Sequence, residues 1–99
     1  MAKWKKRFEL WATARQPVSV KEVESIIHKV FGDRVGERTG TSHRWAVDVP
    51  ELVNGDDDYR FGFFGIPVKS GKVVLPIYCQ IAYEAARQLG LPEEKENEQ

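Results

Sequence analysis

Cysteine is nearly missing from this chain: Cys79 stands alone among 99 residues. No internal disulfide can form, and such sparing use of thiols fits a reducing compartment. Histidine is almost as scarce, with only His28 and His43. Two imidazoles far apart in sequence from each other and from the one thiol do not make a zinc site. No apolar run approaches the ~20 residues that a membrane-spanning helix needs. The start, Met1-Ala2-Lys3-Trp4-Lys5-Lys6, lacks the apolar segment of a secretory signal. A cytoplasmic protein with no membrane partner is therefore expected. Net charge is absent as well, since 15 Lys and Arg balance 15 Asp and Glu. That removes the overall basic excess with which many nucleic-acid binders hold phosphates.

What is present is an ordinary globular composition, 41% hydrophobic and 30% charged, of a length that allows one domain and one modest core. The zero net charge conceals an asymmetry. Residues 1–45 carry ten Lys and Arg against five acids, net +5, and residues 46–99 carry the reverse, net −5. The basic half is compatible with counterion release from a nucleic acid.

Trp4, Phe8 and Trp11 recur at helical spacing with Lys5, Lys6 and Arg7 between them, which predicts an amphipathic helix over 3–14. A strand through Phe8, Leu10 and Ala12 is the competing reading. Its tryptophans suit the core, or stacking on bases. After Gln16-Pro17, Ser19 can cap a second helix with Glu22 as reciprocal partner, and Val18 with Val23 forms a hydrophobic staple. Val20, Val23, Ile26, Ile27, Val30 and Phe31 make one apolar stripe, and Gly32 stops the helix, giving bounds of 20–31. His28 lies opposite the stripe and is read as a solvated surface residue.

From Asp33 the period falls to two. A short strand over 34–38 leads through Thr39-Gly40-Thr41-Ser42 to a second strand, in which Trp45, Val47 and Val49 share one face. Alternation assigns His43 to that same face, one step past the packed centre, at the rim of the sheet. The corner Gly40-Thr41-Ser42-His43-Arg44-Trp45 gathers hydroxyls, a guanidinium and an imidazole, groups that can hold an anion and move a proton near neutrality. The plainer reading is a strand cap with a snorkelling arginine. Asp56-Asp57-Asp58 reads as a solvated turn, because adjacent carboxylates do not converge on one cation unless the loop folds tightly.

A third strand is expected over 59–68, apolar on both parities near Phe64 and so central and covered on both faces, while Pro67, lacking a donor, puts its end at an edge or out of the ladder. Lys69-Ser70-Gly71-Lys72 is a polar hairpin or, alternatively, a two-lysine phosphate clamp. Pro76 opens a last helix whose seam is Ile77, Ile81, Ala85 and Leu89, widened by Tyr78 and Ala82. Small Ala82, Ala85 and Ala86 let it lie close to a sheet or to its companion helix, with Cys79 as inert packing and Gly90 as the stop. The expected organisation is one domain over 1–92 and an acidic, disordered tail over 93–99.

The order helix, three strands, helix, preceded by an extra helix, predicts an α+β fold: a three-stranded antiparallel sheet with both main helices on one face. Three pieces in this order resemble the HicA toxin family over about 19–91. They are the capped helix ending at Phe31-Gly32, the Gly40-Thr41-Ser42-His43 match to that family's Gly-Ser-His motif, and Ile66-Pro67-Val68 followed by a helix closing in Gln88-Leu89-Gly90-Leu91. Thr41 is inserted in this chain's motif, and Lys69 stands where a second histidine often follows Ile-Pro-Val. The resemblance implies a double-stranded-RNA-binding-domain-like (dsRBD-like) fold and metal-independent cleavage of mRNA. His43 would be the general acid or base, with Thr41, Ser42, Arg44, Lys69 and Lys72 as phosphate-binding candidates. It further implies neutralisation by a HicB-like antitoxin protein and no metal or small-molecule cofactor. Two alternatives use the same fold without catalysis: an RNA-binding module on the basic half, and a protein-interaction module that grips a partner with the tryptophan-bearing helix and a sheet edge.

Overall fold

The computed structural model describes residues 3–38 and 43–92. The expected disordered tail over 93–99 lies outside the described residues. Helix α1 spans Lys3–Leu10 and tightens into a 3-10 turn at Trp11–Thr13. Phe8 and Trp11 are buried and meet edge to face at 5.2 Å, and Trp4 packs half-buried beside the core. The core reading of these aromatics holds.

Two-residue strand β1, Val18–Ser19, precedes helix α2, Val20–Phe31. The Ser19 hydroxyl accepts from the Glu22 N–H at 3.2 Å, as the cap requires. Glu22 does not turn back to complete a capping box. Its carboxylate pairs with Arg7 Nη1 at 3.2 Å and so ties α2 to α1. Gly32 ends α2 at φ 57°, a left-handed conformation costly for a side-chain-bearing residue.

Strands β2 (Val35–Glu37), β3 (His43–Asp48) and β4 (Phe63–Pro67) form an antiparallel sheet in the order β2-β3-β4. Strand β4 is shorter than expected, because Asp57–Tyr59 winds into a 3-10 turn and Gly62 bends the chain at φ 81°. It is also an edge strand, uncovered on its outer side, so the expectation of cover on both faces fails: Phe63 is 37% exposed. A second, two-stranded sheet pairs β1 with β5 (Val73–Val74) and was not expected. Lys69 to Lys72 is the hairpin joining β4 to β5. Ser70 and Gly71 both take positive φ, and the Lys72 N–H donates to the Lys69 carbonyl at 3.0 Å.

Helix α3 spans Pro76–Leu89, with Gly90 as left-handed cap. Its buried face is Cys79, Ala82, Ala85 and Ala86. The alanines and Cys79 pack as expected, but Ile77, expected at the head of the seam, is left 51% exposed. The small residues let α3 approach the core that α2 and the inner sheet face share: Val23, Ile27, Trp45, Val47, Phe64 and Ile66. The result is α+β with helices on one side of the three-stranded sheet. Among the described residues, no helix is long and apolar enough to cross a membrane.

Tyr59 links the loop before β4 to α3. It is buried, and its hydroxyl donates to the Ile81 carbonyl at 2.7 Å. Burial, reinforced by Asp58, Glu84 and Asp56, raises the phenol pKa above its ordinary value, so the group stays a donor. Tyr59→Phe should cost about 1 kcal/mol, the net worth of one such bond. A fall of roughly 4–8 °C in melting temperature checks it; an unchanged melting curve contradicts it.

Candidate functional site

The site is made by an irregularity. Trp45, Ala46, Val47 and Asp48 of β3 face Ile66, Gly65, Phe64 and Phe63 of β4 in strict alternation, but His43 pairs with Pro67, with a register shift between His43 and Trp45. Arg44 is the extra residue of a β-bulge, and one extra residue reverses the side to which the preceding side chain points. His43 therefore leaves the Trp45 face, where alternation had put it, and joins the Ala46–Gly65 face, the side away from the helices.

The geometry around Gly65 makes this concrete. A Cβ built on Gly65 would sit 2.7 Å from Cδ2 of His43 and 3.3 Å from its Cγ. The imidazole packs against a glycine, and a side chain at that position would take its room. A depression of about 290 Å³ opens here, lined by Arg38, His43, Ala46, Phe63 and Gly65. Arg38 is delivered by β2. Its N–H donates to the Arg44 carbonyl at 2.8 Å, and its guanidinium carbon stands 5.6 Å from the Phe63 ring centre. His43 and Arg38 are both exposed.

The other sequence candidates are distributed differently. Thr41 and Ser42 lie outside the described residues. Arg44, spent in the bulge, turns its guanidinium over the Trp45 ring at 5.2 Å, toward the core side. Lys69 follows two residues after Pro67, within about 7 Å of it by chain length. Lys72 closes the hairpin, where its carbonyl accepts from the Val20 N–H at the start of α2. Neither lysine lines the depression. No family model, no curated protein and no solved structure matches this chain.

Four residues that line the depression were missed on sequence: Arg38, Ala46, Phe63 and Gly65. The one available signal was a glycine set among bulky residues in Phe63-Phe64-Gly65-Ile66, which often marks a close approach by another group. Elsewhere, Arg34 forks onto Glu51 at 2.8 and 2.7 Å and drops its carboxyl to about 2, which braces the loop after β3. Burial pushes the Cys79 thiol up to about 12, so it is no nucleophile near neutral pH. Among the described residues, no cluster of His, Cys, Asp or Glu is placed to hold a metal.

An imidazole can take or give a proton, and a guanidinium can fork onto two oxygens of one phosphate. The depression holds one of each beside an aromatic face. Gly65→Ala should force the ring off its seat with little effect on fold, since the clash is with a surface side chain. The check is the His43 Cδ2–Hδ2 resonance, which should shift while the amide spectrum of the core stays in place. A ring resonance unmoved in Gly65→Ala contradicts the packing described here.

Proposed function

We propose that this protein is a HicA-like, metal-independent endoribonuclease on a dsRBD-like fold, with His43 as the proton-transfer residue. The observation that carries the reading is that His43 and Arg38 line the same solvent-open depression. The order of elements and the Gly40-Thr41-Ser42-His43 motif support it. In the proposed reaction the ribose 2′-oxygen attacks the adjacent phosphorus while His43 accepts the 2′-OH proton. The bond from phosphorus to the 5′-oxygen breaks, a water supplies the proton to that leaving oxygen, and a 2′,3′-cyclic phosphate remains. Arg38 binds the non-bridging oxygens as their charge grows. Lys69, Ser42 and Thr41 are proposed to hold the flanking backbone, and a HicB-like antitoxin to cover the depression when the toxin is silent.

The test is incubation of the purified protein with an mRNA transcript in excess EDTA. Fragments ending in 2′,3′-cyclic phosphate are expected; an intact transcript, or cleavage that needs added metal, removes the proposal. A second reading, RNA binding without cleavage, is favoured by the exposed aromatics beside arginines at Phe61 and Phe63. It predicts a retained but intact transcript.

A further inference from the structure

Beside the sheet face that carries His43 lies an aromatic patch that the core does not use, made by Phe63 of β4 and Phe61 of the turn before it. Phe61 is 72% exposed and Phe63 37%, with ring centres 6.5 Å apart and planes tilted by 36°. Each ring has its own guanidinium: Arg60 stands 4.9 Å from the Phe61 centre and Arg38 stands 5.6 Å from the Phe63 centre. The floor between them and His43 is kept low by Ala46 and Gly65, which pair across β3 and β4. Two exposed phenylalanines cost solvation unless something covers them, and the cover must tolerate cations on its flanks.

We infer that Phe61 and Phe63, with Arg60 and Arg38, form a stacking platform for single-stranded RNA that leads into the depression at His43. Unpaired bases offer flat faces to aromatic rings and to guanidinium planes, and the phosphates between them suit the arginines. A duplex cannot use such a platform, because its base faces are already stacked on one another. The 6.5 Å between ring centres exceeds the ~3.4 Å step of stacked bases, so two bases seated here are splayed apart. Asp48 pairs with Phe63 across β3 and β4, so the described residues set at least one carboxylate beside the two arginines. The platform deepens the ribonuclease reading by naming the form of RNA presented to His43. It depends on that reading only for what happens next to the bound strand.

The experiment measures fluorescence anisotropy with a labelled 12-mer RNA whose 2′-oxygens are methylated, so that it binds without being cleaved. The same 12-mer annealed to its complement serves as the duplex probe. The platform predicts binding of the single strand, a loss of about tenfold or more in Phe61→Ala, and recovery in Phe61→Trp. It also predicts a similar or larger deficit for the duplex. Phe61 lies on the surface, so the variants should fold, and far-ultraviolet circular dichroism verifies it. No binding of the single strand by wild type, equal binding by Phe61→Ala, or a duplex bound as tightly as the single strand each overturns the platform. An unmodified transcript run in parallel separates the two proposals. Phe61-dependent binding without cleavage keeps the platform and removes the nuclease. Cleavage that Phe61→Ala leaves at wild-type rate and affinity does the reverse.

Discussion

His43→Ala is expected to slow transcript cleavage by about 10²–10⁴-fold, the range over which a positioned proton-transfer group contributes. The imidazole is exposed and rests on the backbone of Gly65, outside the buried cluster. Its removal should therefore shift stability by no more than about 0.5 kcal/mol, as for most surface substitutions. A large rate loss with an unchanged melting curve separates a chemical role from a structural one. His28→Ala is the control. That imidazole lies exposed on α2, where Nδ1 donates to the Glu24 carbonyl at 2.8 Å, and it should leave the rate untouched. Equal cleavage by His43→Ala and wild type takes His43 out of the mechanism.

The largest loss of stability is expected at Trp45. It has no exposed surface, sits on the central strand, and packs with Val47 and Ile66 into the cluster that both long helices share. Truncating such a residue to alanine costs about 3–5 kcal/mol in lost transfer energy and cavity. That is a large part of the roughly 5–15 kcal/mol that holds an ordinary domain folded. The melting temperature of Trp45→Ala should fall by at least about 12 °C. The indole Nε1 is buried with no hydrogen-bond partner among the described residues, so the loss is one of packing. Trp45→Phe should then recover more than half of the deficit. A Phe variant as unstable as the Ala variant would show that the indole N–H matters after all.

Much of the scaffold was legible because its signals are local. Ser19 caps α2 and Gly32 ends it, Pro76 opens α3 and Gly90 closes it, all where the residue types called for them. The two-residue strands β1 and β5 were illegible, since a bridge that short has no period to read. On α3 the small residues Ala82, Ala85 and Ala86, with Cys79, were legible as the close-packing face, whereas Ile77 was set on the seam by its bulk and spacing although the first turn of the helix leaves it exposed. The site itself was half legible. His43 stood out by chemical type, but its side of the sheet depended on a one-residue bulge, and nothing in Arg44 announces one. Arg38 could not be joined to His43 without the β2–β3 register. Phe63 looked like core because apolar residues on both parities suggest a covered strand, and the chain left that side open.

The buried thiol has a practical corollary. Cys79 is the chain's one sulfhydryl, it has 1% of its surface exposed, and its proton is held until about pH 12. An alkylating reagent added to the native protein therefore finds its target only when α3 lifts from the rest. The rate of labelling becomes a built-in clock for opening of the domain, legible by mass spectrometry without any engineered probe.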